Sequence, residues 1–61
     1  MLYFINEKEK TREQAKTLYD RKKNKTCYTF EEIENVASIL FNRGIISYSM
    51  KIKNCKLEVR P

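Results

Sequence analysis

The sequence predicts an α+β fold in which two helices pack on one face of a small, three-stranded and mainly antiparallel sheet, in the order β-α-α-β-β. Three observations predict this class: a short apolar segment at residues 1–5, a capped amphipathic helix in mid-chain, and alternation of apolar and polar residues after Gly44. A chain of 61 residues, 41% of them hydrophobic, supports one small core. We therefore expect residues 1–61 to form a single small domain.

The central helix is the best-defined element because suitable residues stand at both of its ends. Thr29 can be the N-cap with Glu32 three positions later, which is the spacing of a capping box. Gly44 suits the left-handed position after the helix, where Ile45 can fold back on Leu40 in a Schellman motif. The apolar face recurs at spacings of three and four and consists of Phe30, Ile33, Val36, Ala37, Leu40 and Phe41.

Residues 1–5 form an apolar run that is long enough for a strand and too short for a helix. Side chains alternate across a strand, so its buried side is either Leu2 with Phe4 or Tyr3 with Ile5. Both choices place one aromatic ring in the core.

The first helix is polar, and its starting point is ambiguous. Asn6 with Glu9, or Thr11 with Gln14, could form its cap. Such a helix depends on docking for its stability, and the short link to the central helix favours an antiparallel or steeply angled helix pair. The few apolar residues of its inner face are Ala15, Leu18 and Tyr19.

After Gly44 the apolar residues recur at every second position, which indicates a β-hairpin. A two-residue loop at Lys53 and Asn54 places all of them on one side, whereas a register shifted by one residue would mix them with charges. Asn54 tolerates the positive φ that such loops require. The predicted cross-strand pairs are Ile52 with Cys55, Met50 with Leu57, Tyr48 with Val59 and, on the other face, Lys51 with Lys56.

Few groups in this chain are suited to catalysis. There is no histidine, and Cys27 and Cys55 are the only cysteines, too few for a four-ligand zinc site. The adjacent acids Glu31 and Glu32 point about 100° apart on a helix. We expect no enzyme activity, no cofactor and no metal, and we expect reduced thiols rather than a disulfide because disulfide-dependent small domains usually carry more cysteines.

Charge is the feature with the most functional content. The net charge is +5; residues 21–29 sum to +4 and residues 44–61 to +3, while residues 30–43 sum to −2. Cations that neutralise phosphates release counterions, so we predict an accessory factor that binds nucleic acid or a nucleoprotein, with Tyr28 or Tyr19 stacking on bases. A surface that only keeps the domain in solution is the alternative interpretation. The predicted contact residues are Arg21, Lys22, Lys23, Lys25, Lys51, Lys53, Lys56 and Arg60.

Two further hypotheses involve protein partners. A small chain can act as an inhibitor or adaptor that occupies a host or partner protein, and the aromatic residues Phe41, Tyr3 and Tyr19 are of the types found in interface hot spots. A homodimer, formed by edge-strand pairing or through Phe41, could stabilise a marginal core.

Composition also bears on the origin and the compartment. Phe, Tyr, Met, Ile, Asn and Lys, which have AT-rich codons, supply 29 of the 61 residues. Small lysine-rich proteins of this kind are typical of phage and mobile-element accessory genes. No run of about 18 apolar residues occurs, so we expect a cytoplasmic protein that does not enter a membrane.

Overall fold

A computed structural model describes residues 1–61 and shows an α+β protein with two helices and one antiparallel sheet of four strands. The strands are adjacent in the order β2-β1-β4-β3, so the first and last strands lie together in the middle. The elements along the chain are β1 (Leu2–Ile5), β2 (Lys8–Lys10), α1 (Arg12–Lys22), α2 (Phe30–Asn42), β3 (Tyr48–Ile52) and β4 (Cys55–Arg60).

The α+β class is confirmed, but the predicted three-stranded sheet and its β-α-α-β-β order are wrong because β2 was missed. This strand, with the sequence Lys-Glu-Lys, pairs antiparallel with β1 across a two-residue turn. The turn residues Asn6 and Glu7 have φ values of 50° and 70°. An edge strand that packs little side-chain area needs no apolar alternation, since its main chain supplies the pairing. No periodic signal therefore marks it.

The turn before β2 is attached to the far end of the chain. The Asn6 N–H donates to the Lys56 carbonyl at 2.9 Å, and the Asn6 Oδ1 accepts from the Lys56 N–H at 2.9 Å. Because Asn6 is hydrogen-bonded to Lys56 within the sheet, the cap of α1 is the other predicted pair, Thr11 with Gln14. Thr11 Oγ1 accepts from the Gln14 N–H at 3.1 Å, and the Gln14 side chain accepts from the Thr11 N–H at 3.0 Å.

The predicted ends of α2 are confirmed. Thr29 Oγ1 accepts from the Glu32 N–H at 3.1 Å, and the Glu32 carboxylate accepts from the Thr29 N–H at 2.8 Å, which completes a capping box. Gly44 has a φ of 92°. The Ile45 N–H then donates to the Leu40 carbonyl at 3.1 Å, as a Schellman motif requires. Both ends of this helix follow from local sequence alone.

The short connection brings the beginning of α2 into contact with α1. Arg12 near the start of α1 pairs with Glu34, and Lys16 one turn later pairs with Glu31. These ion pairs place the first two turns of α2 beside α1.

The hairpin of β3 and β4 has the predicted register, including Lys51 opposite Lys56. Its loop differs in one detail, since Lys53, with φ of 53°, is the residue with positive φ rather than Asn54. In β1 the buried side is Tyr3 with Ile5. The core under the helices consists of Tyr3, Ile5, Ala15, Tyr19, Phe30, Ile33, Ala37, Cys55, Leu57 and Val59.

Both helices lie on the same side of the sheet, and the other side carries no element. We call this uncovered side the open face. The registers place on it the residues that alternate with the core positions of each strand. They are Leu2, Phe4, Glu9, Ser49, Lys51, Lys56, Glu58 and Arg60.

Candidate nucleic-acid interface

Tyr3 of β1, Arg12 of α1 and Glu34 of α2 form a polar cluster. The Arg12 guanidinium donates to both oxygens of Glu34, from Nε at 2.7 Å and from Nη2 at 2.9 Å. The Tyr3 hydroxyl donates to the same carboxylate at 2.5 Å. The Arg12 hydrogen bonds, aided by that of Tyr3, outweigh partial burial and hold the pKa of Glu34 below its usual value. Burial, reinforced by the neighbouring Glu34 anion, raises the pKa of Tyr3 to about 12.

A second pairing follows one turn along α1. Lys16 Nζ lies 3.1 Å from Asp20 Oδ2 on its own helix and 3.5 Å from Glu31 Oε2 on α2. The hydrogen bond to Asp20, with the nearby Glu31 charge, raises the pKa of Lys16. Glu31, an acid of the first turn of α2 that a helix dipole alone could explain, is thus also paired with cations of α1.

Ion pairing therefore uses most of the carboxylates of this protein but few of its cations. Five of the eight carboxylates lie within 4.0 Å of a cation, and they share only three cations, namely Arg12, Lys16 and Arg60. Three carboxylates remain without a cation within 4.0 Å, and the number of cations without a carboxylate is much larger. The ten cations without such a partner are Lys8, Lys10, Arg21, Lys22, Lys23, Lys25, Arg43, Lys51, Lys53 and Lys56.

Four of these ten cations lie at the end of α1 and in the loop after it. Arg21, Lys22 and Lys25 are exposed and Lys23 is half-buried. The loop is held by Asn24. Its Oδ1 accepts hydrogen bonds from the Thr26 N–H at 3.0 Å and from the Thr26 hydroxyl at 2.6 Å. The basic side chains are consequently presented by an ordered turn. We call residues 21–25 the basic loop.

The basic loop is also tied to the core. The buried Tyr19 hydroxyl donates to the carbonyl of Tyr28, which lies at the far end of the connection. Burial raises the pKa of Tyr19, so the hydroxyl keeps the proton that it donates. Tyr19 is only 2% exposed, whereas Tyr28 is 59% exposed. Of the two tyrosines predicted to stack on bases, Tyr28 alone has a ring that solvent reaches.

Three more of the ten cations belong to the hairpin. Lys51 and Lys56 are directly opposite each other on the open face, and Lys53 occupies the loop. Their pair is one of the narrow positions of an antiparallel ladder, where facing Cα atoms are about 4.5 Å apart. Like charges directly opposite in a ladder repel each other, and an anion bound between the two side chains would relieve the repulsion.

Arg60 differs from the other predicted contact residues because its charge is already matched. Its Nε donates to the Glu58 carboxylate at 2.8 Å, and its guanidinium lies 4.6 Å from the centre of the Phe4 ring. Glu58 also accepts from the Ser47 hydroxyl at 2.9 Å. The Arg60 hydrogen bond, with that of Ser47, lowers the pKa of Glu58. Arg60 thus fixes a local network on the open face.

Phe4 is the aromatic residue of β1 that lies outside the core. It is half-buried on the open face, between Glu9 on β2 and Glu58 on β4. The alternation of β1 allowed either face to be the core side, so no signal in that segment identified which aromatic ring would lie outside the core.

The residues predicted for a protein interface are mostly internal. Tyr3 is 7% exposed and Tyr19 is 2% exposed, and both hydroxyls are used inside the molecule. Phe41 is half-buried against the core. The exposed large apolar residues are others, and they are Met1, Leu2, Tyr28, Ile39, Ile45 and Ile46.

Metal ligands, cysteines and apolar helices are the other features that could mark a site. No group of three or more His, Cys, Asp or Glu side chains is arranged to hold a metal ion. Cys27 is half-buried, Cys55 is buried, and both thiols are free. Neither helix is long and apolar enough to cross a membrane.

The fold and the surface together define a small basic α+β protein with one sheet face covered by two helices. Comparison with protein-family models, curated proteins and solved structures finds no match for this chain. Its function must therefore be inferred from its own residues.

Proposed function

We propose that this protein is a non-catalytic accessory factor that binds nucleic acid or a nucleoprotein through phosphate contacts. The proposed contacts form two groups: the basic loop at the end of α1, on the helix side of the sheet, and the hairpin lysines, of which Lys51 and Lys56 are on the open face. One observation supports this proposal above the others: none of these cations has a carboxylate within 4.0 Å, while most carboxylates are used on other cations. The proposed contacts are Arg21, Lys22, Lys23, Lys25, Lys51, Lys53 and Lys56.

Binding of this kind follows from counterion release. Each cation that neutralises a phosphate frees condensed counterions, so affinity falls as salt rises and depends little on base sequence. The exposed ring of Tyr28, next to the basic loop, could add stacking on an unpaired base. Arg60 is left out of the direct contacts because Glu58 and Phe4 already hold its guanidinium.

Charge reversal at the two groups tests the proposal. We expect Lys22→Glu with Lys23→Glu, and separately Lys51→Glu with Lys56→Glu, to weaken binding to a labelled DNA or RNA oligonucleotide. If each pair of lysines contacts two phosphates, reversing that pair should make the slope of log K against log salt less steep by about 1.8 for duplex DNA. Fluorescence anisotropy over a salt series measures both quantities. The hairpin variant keeps a like-charge pair across the strands, so its stability should stay close to that of the unmodified chain.

Lys8→Glu with Lys10→Glu is the matched control, since it changes the net charge equally on the opposite edge strand. We expect it to lower the affinity less and to leave the salt slope nearly unchanged. Equal losses in all three variants would show that total charge governs binding. Binding that does not depend on salt would contradict the proposal.

The second hypothesis, an inhibitor or adaptor, now depends on different residues. Ile39, Ile45 and Ile46 are 54%, 45% and 78% exposed, whereas two of the three predicted aromatic anchors are internal. If this function is the correct one, a stoichiometric protein partner should be retained from nuclease-treated lysate. Ile46→Asp should release that partner, and Lys22→Glu with Lys23→Glu should not. The opposite pattern would reject an interface at the isoleucines.

A further inference from the structure

Strand β3 lies at one edge of the sheet and pairs only with β4. Successive residues of a strand direct their main-chain groups alternately to its two sides. Lys56 uses its N–H and its carbonyl on Asn6, at the β1 side of β4. Its neighbours in β4 therefore bond to β3. Ser49 and Lys51 are left with N–H and carbonyl groups directed at the free edge. The residues of β3 that bond to β4 are Tyr48, Met50 and Ile52.

We infer that this free edge joins two copies of the chain, which pair antiparallel about a two-fold axis at Met50 and form one sheet of eight strands. In this arrangement the outward groups of Ser49 on one copy bond to those of Lys51 on the other, and the reverse pair repeats the same bonds. Pairing of this kind provides hydrogen-bond partners for main-chain N–H and C=O groups that would otherwise bond only to water. A symmetric contact needs only one surface on each copy.

The side chains of β3 are compatible with themselves in this register. On the helix side Tyr48 faces Ile52 of the second copy, and Met50 faces Met50. All three are half-buried in the single chain and partly cover the core, so pairing would remove more of their apolar surface from water. On the open face Lys51 is opposite Ser49, so no like charges stand directly across the contact.

The other edge of the sheet lacks this compatibility. By the same alternation, Glu9 is the one residue of β2 whose main-chain groups point outward, because Lys8 and Lys10 are the ladder partners of Ile5 and Tyr3. A two-fold axis at Glu9 would place Glu9 opposite Glu9 and Lys8 opposite Lys10. Every directly opposed pair would then be of like charge, which destabilises a sheet. The second copy therefore meets β3.

Residue 49 offers a test in which stability and association respond in opposite directions. Within one chain it lies directly opposite Glu58, whereas across the proposed contact it lies opposite Lys51. Ser49→Lys adds an attraction inside the chain and a repulsion between copies, and Ser49→Glu does the reverse. Each cross-strand pair occurs twice in the dimer, so we expect a change of about tenfold in the dissociation constant, weaker for lysine and tighter for glutamate.

Sedimentation equilibrium of the full chain, from micromolar to millimolar concentration, measures this constant for all three proteins. Thermal unfolding of the dilute proteins shows that each variant remains folded. Slower hydrogen exchange of the Ser49 and Lys51 amides at high concentration would locate the contact. A monomer at every concentration would overturn the inference, and so would a dimer whose dissociation constant is the same in both variants. The result does not depend on whether the protein binds nucleic acid, because the measurement contains none.

Discussion

Replacing Phe30 with alanine should remove a large part of the free energy of unfolding of this protein. Phe30 is fully buried, and its ring lies 5.8 Å from that of Tyr3 and 6.0 Å from that of Tyr19, measured between ring centres. It joins β1, α1 and α2 at one point. Truncating a buried phenylalanine to alanine costs about 3–5 kcal/mol, and a domain of this length has a total stability of about 3–9 kcal/mol.

Urea denaturation followed by circular dichroism measures this loss. Tyr28→Ala is the matched control, because it removes an aromatic ring two positions earlier that is 59% exposed. We expect the control to change the free energy of unfolding by less than about 0.5 kcal/mol. If Phe30→Ala unfolded at nearly the same urea concentration as the unmodified chain, the core described above would be incorrect.

Replacing Glu34 with glutamine should produce the next largest loss, of about 2 kcal/mol, because hydrogen bonds to a charged partner are stronger than those to a neutral one. The side chain of Glu34 is 17% exposed and accepts hydrogen bonds from Arg12 and Tyr3. Glutamine has nearly the same shape but no charge to offer the guanidinium. The buried Tyr3 hydroxyl keeps an acceptor, so the loss should remain partial.

The pH dependence of this loss identifies its cause. Because Arg12 lowers the pKa of Glu34 in the folded state, the carboxylate stabilises the fold above its unfolded pKa of about 4.3. That stabilisation disappears as the pH falls through the folded pKa. The stability curves of the unmodified protein and of Glu34→Gln should therefore converge in acid.

Glu31→Gln serves as the control for both measurements. Its side chain is 55% exposed, and its contacts with Lys16 and Arg12 are 3.5 and 4.0 Å long, so we expect a loss below about 0.5 kcal/mol. Parallel pH curves for the unmodified protein and Glu34→Gln would show that the carboxylate charge is not what stabilises the fold.

The elements that sequence predicted correctly are those specified by nearby residues. The capping box at Thr29, the Schellman motif at Gly44 and the alternation from Tyr48 to Val59 each depend on residues a few positions apart. β2 escaped prediction because its three residues are all charged and its pairing uses the main chain. The same limit applied to β1, where only packing against the helices selects Tyr3 over Phe4 as the inner ring.

The candidate site was predictable only in part for the same reason. The basic loop and the hairpin lysines stand out as clusters of positive charge in the sequence. Nothing local shows that Arg12 would bind Glu34, 22 positions later, or that Glu58 and Phe4 would hold Arg60. These long-range pairings decide which cations remain without an acidic partner.

The placement of β1 beside β4 has a consequence for how the chain folds. Each outer hairpin involves neighbouring residues and can form early, but a lone hairpin is at best marginally stable in water. Joining them requires Asn6 to meet Lys56, 50 residues away, and closing so long a loop carries an entropic cost before any contact compensates it. We therefore expect the β1–β4 pairing to form last, and neither hairpin to persist without the other.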